Sequence, residues 1–165
     1  MATVSDEFAE FFAARALRMR RVAFTVLGDW RLADDVVHTA FVRLRRAWPR
    51  LRRESVDAYV RRSVVRTSLA MARKRSQVPA VDAAPRGTAP ADTSGQVVLD
   101  VLRELSPTQR AVVALRFVDD LTVASTARVL GISEEAVESH ASGALQALRD
   151  SASLSTSTTI QGRQP

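Results

Sequence analysis

Apolar residues recur every three to four positions through most of this 165-residue chain, the spacing of helices that each bury one stripe. Phe8, Phe11, Phe12, Met19, Val22, Ala23 and Val26 form the first such stripe, and Gly28 is suited to end the helix that carries it. A second helix is predicted from about Arg31 to Ala47, with Ala33, Val36, Val37, Ala40, Phe41 and Leu44 on one side and Pro49 beyond its end. Ser55 is placed to cap a third helix reaching Arg75, on which Val56, Val60, Val64, Thr67 and Met71 share a face. At roughly 100° per residue, Arg62, Arg66 and Arg73 fall within about 40° of one another on the opposite face. One stripe is fit for a core. The other is fit for solvent or a polyanion.

The period stops between Ser76 and Gly95, where Pro79, Pro85, Gly87 and Pro90 stand among small residues, as in a flexible linker. Helical patterning resumes with Val97, Val98, Val101 and Leu102 and restarts at Ser106-Pro107, an N-cap followed by the proline favoured at the first helical position. Thr122 is expected to cap a short helix ending at Gly131. Ser133 is expected to cap a last one with Val137, Ala141, Ala144, Leu145 and Leu148 facing inward. Two helices joined by a glycine-containing turn make a helix-turn-helix. The tail from Ser151, rich in Ser and Thr, has no apolar period and is read as disordered. The expected fold is all-α: two small helical domains at 1–75 and 96–150, folding separately, with a linker at 76–95 and a tail at 151–165.

Charge sharpens this division. Residues 1–75 carry seventeen basic residues against eight acids, a net +9, whereas residues 76–165 carry seven against ten, a net −3. A concentrated positive field is the footprint of a polyanion partner, since Arg on phosphate releases counterions and binds in a bidentate manner. Lys74 is the only lysine, so the abundance of Arg reflects genome composition as much as chemistry, and the placement carries more weight than the count. The absence of cysteine excludes disulfides, thiolate metal sites and cysteine nucleophiles. No run approaches the roughly 20 apolar residues of a membrane span, and the N-terminus lacks a secretory pattern, so a cytoplasmic protein is expected. His38 and His140 lie in separate domains, no glycine-rich phosphate loop exists, and neither an enzyme nor a cofactor or metal site is expected. Asp119-Asp120 reads as a turn between helices.

Two stretches carry a family resemblance. GDWRLADDVVHTAFVRLRRAW (28–48) with DAYVRRSVVRTSLAMARKR (57–75) resembles the second domain of extracytoplasmic-function sigma factors, especially an actinobacterial subfamily, and LRELSPTQRAVVALRFVDDLTVASTARVLGISEEAVESHASGALQALR (102–149) resembles their fourth domain. The resemblance implies a non-catalytic subunit that binds RNA polymerase core enzyme and directs it to promoters, and an anti-sigma factor as a further partner. It places Asp34, Asp35, Val37 and Phe41 on the polymerase clamp. It lays Arg62, Arg66, Arg73, Lys74 and Arg75 against the minus-ten element, and the loop bearing Arg50, Arg52 and Arg53 beside an unstacked base. Ser133, Glu134, Glu138 and Ser139 fall at the end of the last helix that would meet the minus-thirty-five element. Plainer readings stand beside these: Val37 and Phe41 as core, Asp34 and Asp35 as acids favourable in a first helical turn.

The chain departs from the family pattern at His38 and Thr39, where Gln and an acid are usual, and at Arg66, Ser68 and Met71, where the subfamily has Asn, Tyr and Trp. Glu138 and Gly143 stand where it carries Lys and Arg. Residues 96–150 hold five bases against eight acids, so the overall field of that unit does not steer it to DNA. A second reading therefore stays open, in which a degenerate sigma-like protein binds polymerase or a regulator without recognising a full promoter.

Overall fold

The computed structural model describes residues 3–77 and 93–161, all helices and turns without a strand among them. The helices are α1 (Val4–Leu27), α2 (Trp30–Ala47), α3 (Arg53–Ser76), α4 (Thr93–Glu104), α5 (Pro107–Val113), α6 (Val123–Leu130) and α7 (Glu134–Gln161). A 3-10 turn at Trp48–Arg50 follows α2, and a π-helical turn at Ala114–Val118 follows α5. The family-like segments therefore fall on α2 and α3 and on α4 to α7. Most of the expected linker, residues 78–92, lies outside the described residues.

Local chemistry sets most boundaries. Thr3 and Asp6 close a capping box on α1, and two hydrogen bonds from Thr3 to the Asp6 carboxylate, at 2.8 Å each, lower its pKa. Gly28 ends α1 at φ 68°, a conformation that costs other residues steric strain. Asp29 caps α2, accepting from the backbone N–H of Arg31 at 2.9 Å and of Leu32 at 3.2 Å. The Ser106 hydroxyl accepts from Gln109 N, the Gln109 side chain accepts from Ser106 N, and Pro107 takes the first helical position of α5. Thr122 caps α6, Gly131 ends it at φ 68°, and Ser133 caps α7 through Ala136 N at 3.1 Å.

Three expectations are corrected. Ser55 does not cap α3: the helix starts at Arg53 after Arg52, whose extended backbone begins it without a side-chain cap, and the Ser55 hydroxyl instead donates to Arg52 O at 2.8 Å. Leu145 is exposed, whereas its neighbour Ala144 is buried against Leu102 and Leu105 as expected. The tail does not lose structure at Ser151, since α7 continues through Gln161. Extending an existing helix adds a hydrogen bond per residue without a new nucleus, and Ser153 satisfies its hydroxyl on Arg149 O one turn back at 2.7 Å.

The main core is built by α1, α2 and α3. Met19, Val22, Val26, Leu44, Val60, Val64 and Val65 are fully sequestered there, and Phe11 and Phe12 of α1 meet Phe41 of α2 at ring distances of 6.3 and 4.9 Å. The buried face of α3 is Val56, Val60, Val64, Val65, Ser68, Leu69 and Ala72, with Thr67 and Met71 half-buried at its margin. Ala111, Ala114 and Leu115, from α5 and the turn after it, complete the same cluster. Two smaller clusters serve the C-terminal helices: Val112, Ala127 and Val137 hold α5, α6 and α7 together, and Leu102, Leu105 and Ala144 dock α4 on α7. The helical units on either side of residues 78–92 thus share apolar contact, which the linker composition did not indicate.

That sharing is measurable. Leu115, with no exposed surface, sits in the cluster of α1 to α3 although it belongs to the C-terminal unit. Leu115→Ala is expected to cost about 2–5 kcal/mol and to lower the midpoint of thermal unfolding by roughly 5–15 °C, read by circular dichroism. A change under about 1 kcal/mol would mean that Leu115 is not packed as described.

Candidate nucleic-acid and protein interfaces

Burial of the valine face of α3 dictates what the helix offers outward. Arg62, Arg66, Arg73, Lys74 and Arg75 are all exposed, and none enters an ion pair among the described residues. Arg73 reaches Thr108 Oγ1 and Arg75 reaches Leu27 O, each at a long 3.4 Å. Nearby, Arg110 is pushed down in pKa by burial and by Arg75. Five cations without counter-charges, running from the middle of α3 to its C-terminal end, create a positive surface able to bind phosphates in water.

The loop residues differ from that face. Arg50 is exposed, and Arg52 lies 3.7 Å from Glu54 with both side chains in solvent. Arg53 pairs with Glu7 of α1 and stacks over the Trp48 ring, 4.8 Å from its centroid. Trp48 is buried under Phe8 and Phe11, and its indole N–H has no hydrogen-bond partner. A cavity of about 410 Å³ opens here between Phe11, Trp48, Arg53 and Val56, with Glu7 and Glu10 at its mouth. Its flat aromatic wall and guanidinium suit stacking, but its two carboxylates discourage phosphate.

Between α1 and α2 runs a groove of about 610 Å³ that takes in three of the four expected protein-docking residues. Val37 and Phe41 form its floor and are themselves 7% and 3% exposed, so they serve the core first. Phe12, Leu17 and Val42 supply the accessible apolar surface at 43%, 56% and 39% exposure. Asp34 stands at the rim, held by a bidentate contact to Arg20 at 2.5 and 3.2 Å that lowers its pKa. Arg20 in turn covers Trp30, whose ring stacks on Phe24. Asp35 is exposed outside the groove lining. Leu17 and Val42 did not stand out in the sequence because they fall off the buried stripes; large apolar residues on a polar helix face are the signal that finds them.

At the start of α7, Ser133, Glu134, Glu135, Glu138 and Ser139 are all exposed. Glu134 and Glu135 occupy the first turn, where carboxylates favour the helix dipole. Glu138 makes no ion pair among the described residues. Gly143 is exposed, and a Cβ there would come 3.0 Å from the Gln109 side-chain nitrogen, in the capping box of α5.

One constellation had no signature in the sequence. Asp119, its side chain without exposed surface, accepts from Arg61 of α3, which is 13% exposed and also donates to Asp57 at 3.1 Å. Arg15 reaches Asp57 at 2.9 Å, and Arg18 lies 3.9 Å from both Asp119 and Asp120. Burial disfavours the Arg61 cation, but the hydrogen bond and charge of Asp119, with Asp57, outweigh it and raise the pKa. Asp120, at φ 56°, makes the turn that follows.

Comparison with known proteins matches both units. Residues 11–78 fit the family model for Sigma-70 region 2, and residues 101–150 that for Sigma-70, region 4. The RNA polymerase sigma-E factor of Streptomyces avermitilis is 33% identical over 150 residues, covering 87% of this chain and 84% of that protein. The sigma-E factor of Streptomyces coelicolor is also 33% identical, and the ECF RNA polymerase sigma factor BldN of the same species is 26% identical over 147 residues, covering 81% of this chain and 56% of BldN. In three dimensions the chain is similar to the sigma factor RpoE in its complex with the anti-sigma factor NepR from Bartonella quintana, at a TM-score of 0.70 and 17% identity. That superposition spans 89% of this chain and 97% of RpoE, so it takes in both helical units.

Proposed function

The chain belongs to the extracytoplasmic-function sigma factors of RNA polymerase, and from that premise we infer how its surfaces divide the work of promoter-specific initiation. The N-terminal unit, 1–75, binds core polymerase and the minus-ten element; the helix-turn-helix unit, 96–150, addresses the minus-thirty-five element. The joining segment is 76–95, and 151–165 lies beyond both. The chain itself is non-catalytic and works in the cytoplasm beside the polymerase. An anti-sigma factor, the kind of partner present in the Bartonella structure, is the expected restraint.

Polymerase docking is assigned to the α1–α2 groove, with Asp34 and Asp35 offering charge and Phe12, Leu17 and Val42 the apolar contact above Val37 and Phe41. DNA contact is assigned to Arg62, Arg66, Arg73, Lys74 and Arg75, with Arg50, Arg52 and Arg53 at the loop. The observation that carries this reading is the unpaired basic face of α3, set opposite a sealed valine face. Ser133, Glu134, Glu138 and Ser139 stand at the reading end of α7. There Glu138 faces phosphates without a nearby cation, which makes this helix a weak reader dependent on tethering through polymerase.

Run-off transcription with core enzyme tests the reading as a whole. Specific transcripts are expected; core binding without transcripts would leave a sigma-like interaction protein instead. Replacing Arg62, Arg66 and Arg73 by Ala is expected to flatten the salt dependence of holoenzyme binding to DNA, by about one unit of slope for each phosphate the stripe no longer neutralises. Helicity should stay intact, and an unchanged slope would return the stripe to solvent. Glu138→Lys in the full chain should raise the affinity of the holoenzyme for DNA carrying the upstream element. If that variant instead abolished recognition of a specific upstream sequence, Glu138 would be a direct reader of cytosine.

A further inference from the structure

The groove between α1 and α2 has two unlike ends. On α2 its lining residues Asp34, Val37, His38, Phe41, Val42 and Arg45 recur at helical spacing, so they form a single stripe. From residue 34 to residue 45 that stripe runs about 16 Å at ~1.5 Å per residue. Arg20 of α1 meets Asp34 at one end and Phe8 meets Arg45 at the other, so the two walls are antiparallel. At the first end charge is already answered: Arg20 holds Asp34 by hydrogen bonds of 2.5 and 3.2 Å while lying over the Trp30 ring, 4.4 Å from its centroid. At the second end Arg45 is exposed and enters no ion pair among the described residues. The Phe8 ring, 5.9 Å from its guanidinium, stands at the limit of cation–π attraction. Between the ends the accessible surface is apolar, supplied by Phe12, Leu17 and Val42.

We propose that this groove receives an apolar helix of the polymerase core, about three turns long, whose end at Arg45 carries a carboxylate. The proposal rests on the docking reading above and names the chemistry of the segment that docks. A trough between two antiparallel helices accepts a third helix laid along it. Covering Arg45 with an apolar partner strips water from its charge, and an anion offsets that loss, whereas a basic side chain would add repulsion to it. Direction follows from the same charges. A helix laid in reverse would bring its carboxylate against Asp34 and leave Arg45 covered without a counter-charge. Arg45 is therefore the residue that selects both the partner segment and its orientation. Arg46 shares the last turn of α2, where any cation is favoured by the helix dipole, but it lies outside the groove lining. The dipole explains a basic residue at either position and leaves the placing of Arg45 in the groove to docking.

The test measures association of the full chain with RNA polymerase core enzyme over a range of salt. Arg45→Met should weaken binding several-fold and flatten its salt dependence, and Arg45→Glu should weaken it further. Arg46→Met should stay within about twofold of the unaltered chain. Both arginines are exposed, so helicity should be the same in all three variants. Tighter binding in Arg45→Met or Arg45→Glu would make the docking segment basic, and an equal loss in Arg46→Met would reduce the effect to the general field of α2; either result overturns the proposal. The chain has no cysteine of its own, so Arg45→Cys can carry a photoreactive label. The polymerase peptide it captures should hold an Asp or Glu within an apolar helical pattern, and a peptide without an acid overturns the proposal. Leu17→Ser reports on the docking reading separately. If it weakens core binding while Arg45→Met does not, only the chemistry assigned to the partner falls. If it leaves core binding unchanged, or abolishes self-association of the chain instead, the groove serves solvent or a second copy, and the docking reading falls with the proposal.

Discussion

Burial of one face of α3 is the constraint on which the other surfaces depend. Val56, Val60, Val64 and Val65 have at most 2% of their surface exposed, and α1, α2 and α5 close over them from different sides. β-branched side chains are stiff, so a valine face packed in this way fixes the rotation of the helix about its axis. Arg62, Arg66, Arg73 and Lys74 are aimed by that rotation. The cations are placed by the core without contributing to it. The same packing directs Arg61, one position along, back towards Asp119.

Charge is spent unevenly across the N-terminal unit. Around the α2–α3 loop, Glu7 holds Arg53, and Glu10 borders the cavity beside Trp48. Along α1, Arg15 and Arg18 lean on Asp57, Asp119 and Asp120, and Arg20 is taken up by Asp34. The net +9 of residues 1–75 thus overstates the field in most directions and understates it at Arg62, Arg66, Arg73, Lys74 and Arg75 of α3, which have no acidic partner among the described residues. Position on the fold, more than number, decides which arginines can meet a polyanion. On α7 the reverse applies, since Glu138 has no ion-pair partner among the described residues.

Periodicity and capping chemistry were legible because they are local. The stripes of α1 and α2, the glycine stops at Gly28 and Gly131, and the caps at Ser106, Thr122 and Ser133 could be read within a few residues of each position. What escaped was either non-local or competitive. Arg61 and Asp119 are 58 residues apart, and no spacing rule joins them. Ser55 had the right chemistry for a cap, but Arg52 supplied the backbone conformation first. Of the neighbours Ala144 and Leu145, both read as inward, only Ala144 is buried, against Leu102 and Leu105, because residues one position apart on a helix point about 100° away from each other. The α1–α2 groove was half legible: Val37 and Phe41 stood in the sequence as core or docking residues, whereas Phe12, Leu17 and Val42 become a surface only when α1 and α2 are laid side by side.

The π-helical turn at Ala114–Val118 carries a consequence for how this chain can vary. Asp119 N bonds to Ala114 O across five residues, so the segment holds one residue more than an α-helical turn would need. Inserting one further residue there, which the π-turn has no room to absorb, would rotate everything after it by roughly 100°, carrying Asp119 away from Arg61. The cap at Thr122, the stop at Gly131 and the hydrophobic seam of α6 and α7 would survive such an insertion, since they depend only on their own neighbours. A single codon inserted in this stretch would therefore separate two inherited traits, keeping the shape of the helix-turn-helix unit while changing how it packs on α3.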